Sequence, residues 1–354
     1  MILQLELSIM RTLLLFFGIC LLNCSSADNY FSNQLSEDFT EIDIQLELSK
    51  DTLFLELFYD VGSSDDVLIN QANSIVEVSK NKYWVSDFLG QVVELDNSGN
   101  FIATILETGS GPNEILKPIG MGKSPNGDIY VLDSALMAYV VLDTSGNEIR
   151  RVPTKSISTS VMVDQPTVLA SNRILWKKIL HPEFSLVEWD SLGNFSQGII
   201  DNLVKPGETH VMLNNVVYDF DSSSNAFLYA YKPIPTLFER KSGKISRQIN
   251  LVGSESDYDF NSKVTEIKNQ NTNRVSNLIK EVFWLKDGIL VAHENYVTYL
   301  PEGNFTQPKS YQLFNSNGEK AVYHYAGKTS AYLFLFDAFN KRIYRVNLNH
   351  FENN

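Results

Sequence analysis

Three aspartates, Asp87, Asp133 and Asp337, follow apolar segments and are the first candidates for binding chemistry. They occupy equivalent places, so a fold that brought them together would present a ring of carboxylates. Such a ring could hold a cation or accept hydrogen bonds from sugar hydroxyls. Alternatively, each carboxylate accepts hydrogen bonds from turn amides in its own repeat. We favour the second interpretation, because structural features recur along a repetitive chain whereas active sites seldom do.

Histidine spacing predicts no zinc site. The sequence contains no His-x-His or His-Glu-x-x-His pair, although it has five histidines, at positions 181, 210, 293, 324 and 350. The triplet His293-Glu294-Asn295 follows an apolar segment and could face a channel, but a solvated turn is the favoured interpretation. The acidic residues are too scattered to nominate a general acid–base pair, and no Gly-x-Ser-x-Gly nucleophile motif occurs.

A glycine-rich phrase could hold a phosphate, and it reads Gly109-Ser110-Gly111-Pro112-Asn113-Glu114. It lacks the Gly-Lys-Ser/Thr ending of a phosphate loop and does not open a helix. Turn chemistry explains it better, because Gly and Pro supply the backbone angles of a tight connection. Asn113 can take the left-handed conformation more easily than other non-glycine residues. We therefore predict an architectural turn here.

The only cysteines, Cys20 and Cys24, lie near the N-terminus. No disulfide, thiolate metal site or cysteine nucleophile is possible beyond Cys24. An eleven-residue apolar run, residues 12–22, follows Arg11 and is shorter than the about 20 residues that a permanent transmembrane helix needs. With Leu21-Leu22-Asn23 before it, Cys24 resembles the lipidated cysteine of a bacterial lipobox. We predict a signal peptide at 1–24 with Cys24 as the lipid attachment site, and an ordinary signal peptide is the alternative.

The overall charge excludes one class of partner. The chain has 29 Lys and Arg against 42 Asp and Glu, a formal net charge of −13. This balance argues against a broad basic footprint, so we predict no nucleic-acid partner. Four aromatic residues could instead stack on sugar rings, but a place in the core is the favoured interpretation: Trp176, Trp189, Tyr229 and Tyr231.

A repeated phrase indicates which elements position these residues. It consists of an apolar strand, Asp, a second apolar strand, and a turn ending in Gly and a polar residue. The turn glycines Gly99, Gly146, Gly193 and Gly243 are spaced by 47, 47 and 50 residues. A period of roughly 40–50 residues, each unit several strands long, is typical of β-propeller blades.

The repeats predict an all-β fold, a six-bladed β-propeller over residues 39–350, after a flexible tether at 25–38. Two alternating stretches, residues 42–48 and 52–59, precede the first full repeat and read as half-buried strands. We predict that this segment pairs beside residues 342–346 and closes the ring. A polar insertion near 253–280 lengthens the next glycine interval, to Gly318, to 75 residues. It is either mobile or functional.

The chain resembles the six-bladed β-propeller lipoprotein family of Bacteroidota, with NHL-like repeats. The resemblance rests on Gly109, Gly111, Pro112 and Glu114, and on the strand residues Tyr130-Val131-Leu132-Asp133 and Ile343-Tyr344-Arg345-Val346. It implies an exported propeller, lipid-anchored to the bacterial cell envelope, with the outer membrane favoured and the periplasm as the alternative. It brings no known activity with it.

The function predicted at this point is a non-catalytic binding or scaffold protein of the cell envelope. Its partner would be an envelope protein, a small molecule or a glycan, and no cofactor is predicted. The alternative is a hydrolase or lactonase centred on the channel and dependent on a divalent cation, with calcium required only in that case. Convergence of several Asp, Asn, Glu or His side chains on one point would favour the enzyme.

Overall fold

A computed structural model describes residues 31, 33–46, 51–60, 69–154, 166–177, 181–205, 211–252, 260–269, 277–303, 305, 307–337 and 339–352. The predicted signal peptide, with Cys24, lies outside the described residues. Among the helices of the described segments, none is long and apolar enough to cross a membrane.

The chain begins with three strands that do not form a sheet of their own: β1 (Leu35–Gln45), β2 (Asp51–Phe54) and β3 (Glu56–Asp60). We call residues 35–60 the N-terminal strap. Each of its strands adds to the outer edge of a different blade.

Six antiparallel sheets follow as the blades of a propeller. Blade one contains β4 (Ala72–Ser79), β5 (Lys82–Asp87), β6 (Gln91–Asp96), β7 (Phe101–Thr108) and the short β8 (Glu114–Ile115). Blade two contains β9 (Pro118–Lys123), β10 (Ile129–Asp133), β11 (Ala138–Leu142) and β12 (Glu148–Pro153). Blade three contains β13 (Thr167–Val168), β14 (Ile174–Lys177), β15 (Phe184–Trp189) and β16 (Phe195–Asp201).

The second half of the ring has the same plan. Blade four contains β17 (Val216–Asp221), β18 (Ala226–Tyr231), β19 (Thr236–Lys241) and β20 (Lys244–Val252). Blade five contains β21 (Glu281–Leu285), β22 (Gly288–Ala292), β23 (Tyr296–Pro301) and β24 (Lys309–Phe314). Blade six contains β25 (Tyr325–Lys328), β26 (Tyr332–Asp337) and β27 (Arg342–Asn347). The predicted six-bladed fold is confirmed.

The middle strands of each blade are buried on both faces, because every sheet packs against two neighbours. All five residues of β10 and of β11 are buried, which explains why these strands read as continuous apolar runs. The turns that follow are held by their own aspartates. Asp96 Oδ1 accepts hydrogen bonds from the N–H groups of Ser98 and Asn100 at 2.7 and 2.9 Å. Gly99, between these two donors, has φ of 80°.

The antiparallel order gives the propeller two distinct ends. Turns between first and second strands, and between third and fourth strands, lie at one end, which we call the turn face; residues 124–127 and 143–147 are examples. Turns between second and third strands lie at the other end with the links between blades, and we call it the crossing face. There the Ser134 N–H donates to the Lys117 carbonyl at 3.0 Å and joins a turn to a link.

The N-terminal strap contacts three blades in succession. Strand β1 runs parallel to β20 of blade four, β2 runs parallel to β24 of blade five, and β3 is antiparallel to β27 of blade six. The predicted ring closure is confirmed for β3. The prediction is wrong for the described residues 42–45 and 52–54, because Ile42 pairs with Ile249 in blade four and Leu53 pairs with Leu313 in blade five. Strand β1 also begins at Leu35, so the last residues of the predicted 25–38 tether belong to a sheet.

The insertion between blades four and five contains helix α1 (Phe260–Lys268). Phe260, Val264 and Ile267 are buried in the core cluster shared by blades three and four. The ring of Phe260 lies 5.2 Å from that of Phe238. The apolar face of the helix is part of the core, which argues against mobility for residues 260–268, and the functional alternative stays a prediction. A second short helix, α2 (Asn349–Glu352), and two 3₁₀ turns, Ala170–Asn172 and Val211–Asn214, complete the described elements.

The long glycine interval has a second cause besides the insertion. Gly318 follows β24, the fourth strand of blade five, instead of separating its third and fourth strands. Gly303, with φ of 77°, occupies the turn between β23 and β24. The turn after β24 resembles the turn held by Asp96, with Asn315 in the place of the aspartate. Asn315 Oδ1 accepts hydrogen bonds from the N–H groups of Asn317 and Glu319 at 3.0 Å each.

Candidate functional site

The recurring aspartates tie the backbone together and do not meet. Asp133 has no exposed surface, and its carboxylate accepts the N–H groups of Leu116, Lys117, Ala135 and Leu136 at 2.9 to 3.3 Å. Two of these donors come from the link between blades and two from the turn after β10. Asp87 does the same in blade one. The predicted bonds from turn amides are present, and the bonds from the links before each blade add to them.

His293 lies neither in the channel nor in a solvated turn. It is 4 % exposed, and its ring stacks on Tyr296 with centroids 4.0 Å apart. The ring Nδ1 lies 2.9 Å from the Leu278 carbonyl, which makes Nδ1 the protonated nitrogen. Burial lowers the pKa of His293 to about 4, so the ring is neutral at pH 7. Of its neighbours in the triplet, Glu294 is exposed.

The four aromatic candidates belong to the core. Trp176, Trp189, Tyr229 and Tyr231 are each no more than 3 % exposed. Burial raises the pKa of Tyr231 far above its usual range, and its hydroxyl donates to the Asp201 carbonyl at 2.7 Å. None of the four can stack on a ligand without unpacking the blades.

The glycine-rich phrase is held by protein groups, as an architectural turn requires. The Glu114 carboxylate accepts the Gly111 N–H at 2.6 Å, and Arg151 donates to the Gly111 and Glu114 carbonyls at 3.1 and 2.9 Å. Asn113 is the left-handed residue, with φ of 56°, and it exchanges two hydrogen bonds with Glu148 at 3.0 Å each. The phrase therefore docks onto the outer strand of blade two.

The largest of the cavities considered among the described residues lies between blades three and four and opens on the turn face. Its volume is about 780 Å³, within the range of roughly 300–1,000 Å³ that is usual for small-molecule sites. We call it the blade 3–4 pocket. Its apolar wall includes Ile199, Phe220 and Phe227. The two phenylalanines flank the turn between β17 and β18, both are half-buried, and their ring centroids are 4.7 Å apart.

Arg240 supplies a cation to this pocket. Its guanidinium donates to the Ile199 carbonyl and, at 3.0 Å, to the Gly243 carbonyl. Among the residues that the structure describes, no carboxylate lies within 4 Å of it. The carbonyls orient the guanidinium, and none of the described ion pairs includes it. Arg240 is the feature of the pocket best suited to hold an anionic group.

Two further polar groups line the same pocket. Arg173 forms an ion pair with Glu188 at 2.9 Å, and Glu188 is 3 % exposed. Ser124 is also 3 % exposed, and its Oγ has no hydrogen-bond partner within the described part of the chain. A buried hydroxyl without a partner costs free energy, so its place on a cavity wall suggests that a ligand or solvent satisfies it.

The central channel offers a second cavity of about 530 Å³, but several of its charged groups are engaged in contacts within the protein. The Asp219 carboxylate accepts hydrogen bonds from Lys328 Nζ at 2.6 Å and from the Trp284 N–H at 2.8 Å. Glu77 accepts from the Ser330 hydroxyl at 2.5 Å. These contacts join blade four to blades five and six, and blade one to blade six, and give the channel a structural role.

A third cavity, of about 460 Å³ between blades four and five, is likewise internally paired. Glu239 forms ion pairs with Lys241 at 2.6 Å and with Arg247 at 3.4 Å. Across the described segments, no three His, Cys, Asp or Glu side chains are grouped as a metal would require. The convergence that would favour the cation-dependent enzyme is therefore not found in this part of the chain.

The comparisons with known proteins agree with the architecture. A family model described as a six-bladed β-propeller, DUF5128, matches residues 43–287. The chain belongs to this family. No curated protein matches the sequence. The assignment to DUF5128 agrees with the predicted resemblance in its fold.

Several solved structures share the DUF5128 architecture seen here. A Bacteroides fragilis protein described as exported has 17% identity and a TM-score of 0.52, over 89% of this chain and 82% of that one. An auxiliary nutrient binding protein from Bacteroides ovatus has 11% identity and a TM-score of 0.51, over 83% and 75%. A gluconolactonase from Xanthomonas campestris has 10% identity and a TM-score of 0.52, over 83% and 89%. At such identities the likeness shows the fold alone.

Sequence reasoning missed Arg240 and the phenylalanine pair, although one signal was present. The buried glutamates Glu94, Glu188 and Glu239 occupy equivalent places in three blades. Glu94 and Glu188 are each followed by a buried apolar residue, Leu95 and Trp189, whereas Glu239 is followed by Arg240. An arginine at a core place of the repeat is the mark of a blade that differs from the others. The phenylalanines carried no such signal, because apolar residues are expected throughout a blade.

Proposed function

We propose that this DUF5128 protein is an exported binding protein of the cell envelope and that it binds a small ligand in the blade 3–4 pocket. The observation that carries the proposal is the guanidinium of Arg240, which is bonded to backbone carbonyls and to no described carboxylate, beside the half-buried Phe220 and Phe227. Ligand sites commonly combine an apolar wall with a few placed polar groups. The pocket has that composition, and its volume of about 780 Å³ suits a mono- or disaccharide-sized molecule.

The position of the pocket supports a specific function over a general structural one. It forms where the propeller departs from its own repeat: β19 and β20 are joined by a tighter turn, in which Ser242 and Gly243 both have positive φ. Blade three also has an inner strand of only two residues, Thr167–Val168. Features that all blades share maintain the ring, whereas a cavity in one gap can evolve for one ligand.

A tryptophan placed at the pocket mouth tests the site. Ser222 is exposed and lines the pocket, and Ser222→Trp should block it without disturbing the core. Ser145→Trp, in an exposed turn of blade two on the same face, is the matched control. The probes are glucose, galactose, glucuronate and galacturonate, and the measurement is the shift in melting temperature.

A ligand at about 100 times its Kd stabilises the native state by about 2.7 kcal/mol. We expect at least one probe to raise the melting temperature of the wild type and of Ser145→Trp, and to have no effect on Ser222→Trp. An equal shift in both variants would place binding elsewhere. The absence of a shift in all three proteins would contradict the proposal for this ligand size and class.

The lipid anchor is a separate part of the proposal. Cys24 follows an apolar segment as a lipobox cysteine does, and two acyl chains give stable anchoring where one does not. In cells, wild-type protein should fractionate with membranes, and Cys24→Ala should appear in the soluble fraction. The Cys20→Ala variant, four residues earlier, is the control and should stay with the membrane. A soluble wild type would contradict the anchor and leave the pocket unaffected.

A further inference from the structure

We propose that the ligand of the blade 3–4 pocket is an acidic sugar, whose carboxylate binds Arg240 while its ring stacks on Phe220 and Phe227. This inference rests on the proposed function and names the ligand class of the same site. Three independent features carry it: the charge of the lining, the aromatic wall and the neutral polar side chains between them.

The charge of the lining is opposite to that of the protein. Three cationic residues, Lys123, Arg173 and Arg240, and one acidic residue, Glu188, line the pocket, which gives the lining a formal charge of +2 in a protein of −13. A cationic cavity in an acidic surface concentrates anions and guides them inward. The Nζ of Lys123 is held by the Glu77 and Val78 carbonyls of blade one, each 2.9 Å away, so Arg173 and Arg240 are the cations contributed by blades three and four.

Arg240 is the cation that a ligand carboxylate can reach. Arg173 already pairs with Glu188, whereas the described bonds of Arg240 go to two backbone carbonyls and use two of the five guanidinium donors. Asp201 is influenced by the charge of Arg240, which lowers the Asp201 pKa against the larger effect of burial, but the two form no ion pair within 4 Å. The remaining donors suit a carboxylate or sulfate.

The aromatic wall and the polar side chains indicate the rest of the ligand. Phe220 and Phe227 are inclined by 42° to each other and present half-buried faces, onto which the C–H face of a sugar ring can pack. Hydroxyl and amide groups of Ser124, Thr167 and Gln197 also line the pocket. Such neutral donors and acceptors match sugar hydroxyls, which a purely aromatic acid would leave without partners.

The test compares acidic sugars with their neutral counterparts by isothermal titration calorimetry. Galacturonate and glucuronate should bind wild-type protein at least tenfold more tightly than galactose and glucose. The difference should shrink as NaCl rises from 0.05 to 0.5 M, because salt screens the charge. In Arg240→Gln, acidic and neutral sugars should bind equally. Arg150→Gln, which changes an arginine on the outer strand of blade two, should keep the full preference.

Arg240 also fixes the turn at Gly243, so a second variant guards against a folding defect. Glu188→Gln removes the acidic group of the pocket while keeping its shape and frees Arg173. It should bind the acidic sugars several-fold more tightly than wild type, whereas general damage would weaken binding. Equal affinity for acidic and neutral sugars in wild type would overturn the acidic-sugar inference and leave the pocket standing. If no sugar binds wild type, the proposed function fails with it.

Discussion

Asp133 illustrates how a single buried side chain can join two parts of the backbone. Its carboxylate has no exposed surface and accepts four N–H groups, two from a link between blades and two from a turn. Hydrogen bonds to a charged group contribute about 1.5–3 kcal/mol each. An asparagine side chain at this position would keep one acceptor oxygen, but its NH₂ group would face backbone N–H groups that need an acceptor.

We therefore expect Asp133→Asn to lower the free energy of unfolding by about 2–3 kcal/mol. The matched variant Asp143→Asn changes an exposed turn aspartate that also accepts local N–H groups, and it should cost clearly less. Urea denaturation of both variants provides the comparison. Equal losses would mean that the contacts of Asp133 with the link add nothing to those within its turn.

His293 should make stability depend on pH. Its folded pKa of about 4 is below its ordinary value of 6.5 because the ring is buried. Between these two pH values the unfolded chain binds a proton at His293 and the folded chain does not. The contribution of the neutral ring to the free energy of unfolding is therefore complete above pH 6.5 and is lost as the pH falls toward 4. The loss should reach about 3 kcal/mol.

The variant His293→Gln keeps a donor for the Leu278 carbonyl and cannot titrate. Its stability, measured by urea denaturation at pH 7, 6, 5 and 4.5, should fall less steeply than that of the wild type. Carboxylates contribute to both curves equally, so the difference between them reports on His293. Parallel curves would show that the folded protein binds a proton at His293 as readily as the unfolded chain does, and so would contradict the lowered pKa.

At the scale of elements, the glycine-rich link shows where sequence reasoning was sound and where its physical reason was wrong. The phrase is architectural, as predicted, but Gly111 does not have positive φ. The left-handed residue is Asn113, at φ of 56°. A substitution of Gly111 would act by crowding, because a Cβ there would lie 3.0 Å from the Glu114 carboxylate that holds the phrase.

The more informative variants are therefore at Asn113. Asn113→Val places a β-branched residue in the left-handed region, which costs about 1–3 kcal/mol, and also removes the acceptor for the Glu148 N–H. Asn113→Gly removes the same acceptor without the strain. Thermal unfolding should rank wild type above the glycine variant and the glycine variant above the valine variant. If valine and glycine are equally tolerated, backbone strain is not what Asn113 relieves.

Individual strands were predictable because the repeat period and apolar runs are local signals. The partner of β1 was not, since its parallel pairing with β20 joins residues such as Ile42 and Ile249 that are far apart in sequence. Alternation predicted a strand over residues 42–48, and β1 contains residues 42–45 of it, but the alternation gave no information on which edge the strand joins. Helix α1 was missed for a related reason: its buried residues Phe260, Val264 and Ile267 are separated by polar residues that resemble a loop.

For the whole molecule, closure of the ring depends on β3. Phe58 is 4 % exposed and packs against Phe334 of blade six and Tyr83 of blade one, with ring centroids 5.0 and 5.6 Å away. Asp60 and Glu56 on the same strand pair with Arg342 and Arg345 at 2.9 and 2.5 Å. One strand thus holds the first and last blades together.

Phe58→Ala should lower the free energy of unfolding by about 3–5 kcal/mol, the usual cost of removing a buried phenylalanine. Phe54→Ala, on the strap but 62 % exposed, is the control and should change stability little. Guanidinium denaturation measures both. A small loss for Phe58→Ala would show that the ring is closed mainly by other contacts.

The pocket could not be predicted from the sequence as the fold was. Its lining comes from blades two, three and four, and residues as distant as Ser124 and Arg240 meet only when the sheets stack. The repeat indicated how many blades there are but not how wide each gap is. That width depends on the two-residue inner strand of blade three and on the shortened turn of blade four, which are departures from the repeat.

The N-terminal strap also has a consequence in time. The first strands to leave the ribosome pair with the last, and Arg342 and Asp60 are 282 residues apart. At a synthesis rate of about 5–20 residues per second, β3 waits roughly 15–60 s for its partner. The outer strand of each of blades four, five and six comes from the N-terminal strap. Half of the blades therefore combine strands from two distant parts of the chain. Such a chain completes its fold only after nearly all of it has been synthesised, an order of events that is compatible with the export proposed above.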